Sequence, residues 1–126
     1  MEPRAVPIGN VQMDRFNTDT PDGRARHRPA ILLAAVLTYD HGAHSADCTI
    51  RDLNELGARI GVAGGSKYPA SIYIVNMRDR LVYEARVVWH RMGQLGVEFE
   101  RTLRLSEIND PALIYLRRLW IERAVR

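Results

Sequence analysis

Leu81-Val82-Tyr83-Glu84-Ala85-Arg86-Val87-Val88-Trp89 is the stretch on which the fold turns. Val82, Glu84, Arg86 and Val88 alternate along it with Tyr83, Ala85, Val87 and Trp89. Successive side chains of an extended chain point to opposite faces. The second set is wholly apolar, so it is expected to face a core and to leave Glu84 and Arg86 in water. Five more runs of β type flank this one, giving expected strands at 30–39, 45–53, 58–62, 71–76, 81–89 and 95–99. Turn residues punctuate them: Asp40-His41-Gly42, Gly64-Gly65-Ser66, Arg78-Asp79 and Met92-Gly93. Short runs at regular spacing with no helix between them indicate an antiparallel barrel or sandwich. Closing so short a chain into a barrel protects its strand edges. The expected fold is a small six-stranded antiparallel β-barrel.

Beyond residue 99 the texture turns helical. Ser106 or Asn109 is placed to cap a helix, Pro111 suits a first turn, and 112–125 contains no Gly or Pro. A C-terminal α-helix is expected at about 110–125. Leu113, Leu116, Trp120 and Ala124 form its packing stripe, and Arg117, Arg118 and Arg123 lie mostly off it. Upstream, 1–23 reads as a flexible leader, with Pro3, Pro7, Gly9-Asn10 and Thr20-Pro21-Asp22-Gly23 and little apolar periodicity. The domain proper is expected over 24–126.

A length of 126 residues fits one domain, and 46% hydrophobic against 26% charged residues calls for a folded core. The longest apolar run, 30–37, falls far short of the roughly 20 residues that span a membrane. The first twenty residues hold no apolar signal segment, so the cytoplasm is the expected location and membrane insertion is not. The single cysteine, Cys48, excludes an internal disulfide and a cysteine-built zinc cluster. His27, His41, His44 and His90 show no metal-ligand spacing and read as surface histidines. Ser45 and Ser66 lack the context of a nucleophile elbow. Gly61-Val62-Ala63-Gly64-Gly65 lacks the Lys-Ser/Thr of a phosphate loop. No catalytic residue, metal site or cofactor is expected.

Arginine supplies 17 of the 18 basic residues, with Lys67 the only lysine. A GC-rich genome produces the same bias, so only placement is informative. Arg24-Ala25-Arg26-His27-Arg28 stands immediately before the first strand. Arg24 and Arg28 can grip a phosphate bidentately or stack on a purine, and Arg26 can do the same. Taken alone, the cluster also reads as a solvated linker. The second element is Asp52-Leu53-Asn54-Glu55-Leu56-Gly57, between the second and third strands. A carboxylate there can read the guanine edge, whose N1–H and N2–H₂ both donate, while Asn and Gly favour a turn. Taken alone, this is also an ordinary β-turn.

In this order the two elements resemble the PilZ family, whose motif is Arg-x-x-x-Arg before the first strand and Asp/Asn-x-Ser-x-x-Gly between the second and third. Arg24 and Arg28 meet the first half, and Asp52 and Gly57 most of the second. Thr49-Ile50-Arg51-Asp52-Leu53, Gly57-Ala58-Arg59-Ile60, Ala85-Arg86-Val87-Val88-Trp89 and Gly96-Val97-Glu98-Phe99 have the family cadence, so the likeness spans 24–99. It implies a barrel with a C-terminal helix that binds the bacterial second messenger cyclic di-GMP, often as an intercalated dimer. Arg24 and Arg28 would hold phosphates and guanine faces, Asp52 a guanine base, and Asn54 and Gly57 the turn. The leader would fold over the ligand and change contact with a protein partner in motility or biofilm regulation. Asn54 stands where the family has Ser, and weakened binding is expected from it. A PilZ-like adaptor acting by protein contact alone is the alternative. Nucleic acid is not an expected partner, because 30–100 carries 7 basic against 8 acidic residues.

Overall fold

Strand-forming runs with apolar residues on one face must bury that face. Here six of them do so against one another. The computed structural model describes residues 32–64 and 67–125, and the expected leader at 1–23 lies outside the described residues. The strands are β1 (Leu33–Tyr39), β2 (His44–Leu53), β3 (Gly57–Gly61), β4 (Ser71–Asn76), β5 (Leu81–Arg91) and β6 (Gln94–Arg104). All pairings are antiparallel in the order β1-β2-β3-β6-β5-β4, and β1 pairs with β4 to close the barrel. The expected closed six-stranded barrel is what forms.

Every strand sends a side chain into the interior. Leu37, Ile50, Ile60, Ile74, Ala85 and Leu95 are all at most 1% exposed. A second apolar cluster lies outside the barrel wall. Val36, Val75 and Val82 point outward and are buried beneath Leu113 and Leu116 of the segment leading into and forming α1 (Ile114–Ala124). Two buried polar groups are satisfied. Thr38 Oγ1 donates to His44 O at 2.8 Å. Asn76 Nδ2 donates to Asp79 Oδ2 and Tyr83 Oη, each at 3.1 Å.

The alternation of β5 holds at its centre and departs at both ends. Tyr83 and Ala85 are buried in the core and Arg86 is exposed, as expected. Val82, on the same face as Glu84 and Arg86, is nonetheless fully buried, because α1 covers its side of the sheet. Trp89 was assigned to the core but lies outside it. Between Val87↔Val97 and Trp89↔Gly96 the register slips, with Val88 as the extra residue. A bulge inverts the facing of whatever follows it, so Trp89 shares a face with Gly96.

Strand β6 continues to Arg104 rather than ending near Phe99, pairing Leu81↔Arg104 and Val82↔Leu103. Neither Ser106 nor Asn109 caps α1. Asp110 Oδ1 accepts from Ala112 N at 2.9 Å and opens a turn at 111–113 ahead of the helix. Ala124 is exposed, and Arg123 takes its place on the packing side, ion-paired with Asp47 and donating to Ser45 Oγ at 3.3 Å. Trp120 Nε1 donates to Met77 O at 2.9 Å, and the Arg80 guanidinium lies 5.1 Å from the Trp120 ring centre. These contacts clasp the helix to the β4–β5 turn.

Cys48 sits in β2, packed against the core. Burial first, and then the negative charge of Asp47, push its thiol up to about 12 from an ordinary 9.0. The thiolate is the nucleophile. Iodoacetamide at pH 8 is therefore expected to label the folded chain at least about tenfold more slowly than the urea-unfolded chain. A mass-spectrometric time course with equal rates would contradict the partly buried placement. The same shift costs stability as pH rises past the ordinary thiol range, where only the unfolded chain ionises.

Candidate functional site

The β2–β3 connection is short because Asn54 builds it. Its Oδ1 accepts from Leu56 N at 2.7 Å and Gly57 N at 3.1 Å, and its own N–H donates to Gly57 O at 3.0 Å. This is an Asx-type turn, in which a side-chain amide replaces backbone partners. Phe99 N donates to Leu56 O at 2.8 Å, tying the turn to β6. Gly57 follows because nothing larger fits: a Cβ there would overlap the Val97 carbonyl oxygen. Asp52, two residues before Asn54, pairs across the ladder with Arg59, whose Nε donates to Asp52 Oδ2 at 2.6 Å. Side-chain exposures of 57% for Asp52 and 39% for Arg59 leave both within reach of a ligand.

Arg59 opens onto a strip of the outer wall floored by glycine. Ala58 and Ile60 point inward, so Gly57, Arg59 and Gly61 of β3 point outward. Leu95 and Val97 are likewise inward, which leaves Gly96 outward beside Arg59. On the other side of Gly96 lies Trp89, whose indole occupies the space a Cβ at Gly96 would need. Arg91 holds its guanidinium 4.9 Å from the Trp89 ring centre. Arg51, the extra residue in the β2–β3 register, lays its guanidinium over Gly61. The result is a shallow platform in which the indole covers Gly96 and the Arg51 guanidinium covers Gly61, with Arg59 and Arg91 around it and Asp52 at one side.

Charge on the neighbouring part of the wall is paired off. Arg86 pairs with Glu98 and, at 3.9 Å, with Glu100, and Arg101 pairs with Glu84 at 2.9 Å. Among the described residues no ion pair engages Arg51 or Arg91. Arg51 and Arg91 are thus available to an anion, while Arg59 is held by Asp52.

Comparison with known protein families, with curated proteins and with solved structures finds no match.

Of the expected site residues, Asp52, Asn54 and Gly57 come together in one turn. Arg24, Arg26 and Arg28 lie outside the described residues. Arg59, Trp89 and Gly96 went unnoticed as site residues in the sequence. Arg59 was visible as the outward member of an alternating strand, whereas Trp89 reaches the strip only through a bulge that the pattern does not announce. His41, His44 and His90 are exposed. His44 stacks on Tyr39 at 4.9 Å, and His90 meets Tyr68 edge-on at 5.6 Å. No group of three metal-ligating side chains occurs among the described residues. A separate groove of about 560 Å³ lies between α1 and the β1–β2 wall, lined by Ala34, Cys48, Met77, Trp120 and Arg123. It includes none of the turn residues. No helix among the described residues is long and apolar enough to cross a membrane.

Proposed function

We propose that this chain is a cyclic di-GMP receptor of the PilZ type, a binding module without catalysis that passes its signal to a protein partner. The observation that carries the reading is the juxtaposition of Asp52 with the glycine-floored, arginine-edged platform around Trp89. Each part answers one feature of the ligand. A carboxylate accepts from both donors of the guanine edge. Guanidinium groups pair with the phosphodiesters, and charge-assisted bidentate bonds are the strongest such contacts. The Trp89 indole, seated on Gly96 where any larger residue would displace it, offers a stacking face to a planar base.

Arg24 and Arg28, with Arg26 between them, supply further cations in this reading. They are drawn onto the bound phosphates, and the surface so formed is what the partner distinguishes. Asn54 keeps the turn closed in place of the family serine, so the departure leaves the position of Asp52 supported.

Isothermal titration with cyclic di-GMP tests the reading, run beside an Arg24→Ala/Arg28→Ala double variant. Micromolar or tighter binding by the parent chain is expected, weakened at least about tenfold in the double variant through loss of two charge-assisted contacts. An absence of heat and of thermal shift with the parent chain would sink the receptor reading. It would leave a PilZ-like adaptor that acts by protein contact alone.

A further inference from the structure

Asp52 can take a guanine edge only with both carboxylate oxygens, because N1–H and N2–H₂ donate side by side. One of those oxygens is already engaged: Oδ2 accepts from Arg59 Nε at 2.6 Å. The pair is half in solvent and screened, the kind of ion pair that contributes little to folding and separates easily. Arg59 lies between Asp52 on β2 and Gly96 on β6, its two cross-strand neighbours. The Trp89 indole covers Gly96 and the Arg51 guanidinium covers Gly61, so an Arg59 side chain that leaves Asp52 swings outward beside the indole, where a phosphate on the surface can meet it.

We propose that Arg59 is an exchange arm that makes the site selective for guanine joined to phosphate. This rests on the receptor reading above. In the empty site the guanidinium holds Asp52. A ligand carrying both a guanine edge and a phosphate takes the carboxylate and offers its phosphate to the released guanidinium. One charge-assisted pair is broken and another replaces it, so the exchange costs little. A neutral guanine nucleoside presents the same edge but nothing for Arg59, and must part the pair without a replacement. Arg59 thereby penalises the nucleoside and rewards the phosphodiester, which is discrimination by an unpaired charge as much as by a new contact.

The test is a crossed comparison of two ligands on two proteins. Parent chain and Arg59→Gln are titrated with cyclic di-GMP by calorimetry and with guanosine by chemical-shift perturbation. Arg59→Gln is expected to bind cyclic di-GMP about tenfold more weakly, with a shallower salt dependence, for loss of one phosphate contact. It is expected to bind guanosine at least as well as the parent, because Asp52 stands free. A thermal midpoint close to that of the parent shows the fold intact. Arg59→Lys, which keeps the charge without the fork, is expected to fall between the two.

Cyclic di-GMP affinity unchanged in Arg59→Gln would overturn the exchange while leaving the receptor reading standing. So would an equal loss for both ligands, which marks a merely structural residue. A parent chain that binds no cyclic di-GMP overturns the receptor reading and the exchange together.

Discussion

Replacing Gly57 with alanine is expected to lower the stability of the barrel by about 3 kcal/mol, the upper end of the range for forcing extra atoms into a packed site. The added Cβ overlaps the carbonyl oxygen of Val97, and that oxygen belongs to the β3–β6 ladder rather than to a side chain. It cannot rotate away. Relief requires the two strands to part where Gly57 faces Glu98, which also disturbs the turn that carries Asp52. Gly96→Ala is a useful contrast, since its Cβ meets the Trp89 indole, a side chain that can swing outward. That change is expected to cost the fold less and to disturb the platform more. Urea unfolding of both variants decides the point. A Gly57→Ala chain within about 0.5 kcal/mol of the parent would mean that the close approach of β3 and β6 is not what fixes a glycine there.

Leu116→Ala is expected to cost about 3–4 kcal/mol, within the usual span for truncating a buried leucine. Leu116 is fully buried, in the cluster that joins Val36, Val75 and Val82 of the barrel wall to Leu113 and Ile108. Neighbouring contacts resist collapse around the cavity, because Trp120 is hydrogen-bonded to Met77 O and lies beside Arg80. The loss should appear in one cooperative transition, monitored by far-ultraviolet and near-ultraviolet circular dichroism together. A cost below about 1 kcal/mol, or two separate transitions, would show that the helix is an appendage and not part of the core.

The barrel was legible because its strands are bounded by turn residues and because the middle of β5 obeys the period of two. What the pattern missed has specific physical causes. The burial of Val82 was not foreseen because a strand read alone does not reveal a helix lying on its outer side. Trp89 looked buried because one extra residue, Val88, inverts everything after it. The end of β6 was read as the start of helical texture, although Thr102-Leu103-Arg104-Leu105 still alternates polar with apolar side chains.

The site was legible only as far as contiguous sequence carries it. Asp52, Asn54 and Gly57 form one local turn, and their spacing was enough to mark it. Arg59 faces Gly96 across a ladder, and Trp89 reaches that same glycine from a third strand, so their meeting exists only in the folded chain. Asn54 illustrates the opposite case. It stood out as a departure from a motif, and in the fold it is the residue whose amide oxygen closes the turn.

The outward placement of Trp89 gives the protein two optical reporters with separate duties. The sequence holds two tryptophans. Trp120 is fastened between α1 and the β4–β5 turn, so its emission follows the integrity of the fold. Trp89 lies on the outer wall against glycine backbone with a guanidinium beside it, so its emission follows whatever settles on the platform. With Trp120→Phe as the host, a planar ligand stacking at the site should quench the remaining fluorescence at temperatures where the barrel is intact. With Trp89→Phe, the same ligand should leave the signal unchanged until the chain unfolds. Occupancy and stability can thus be followed separately, with no label attached.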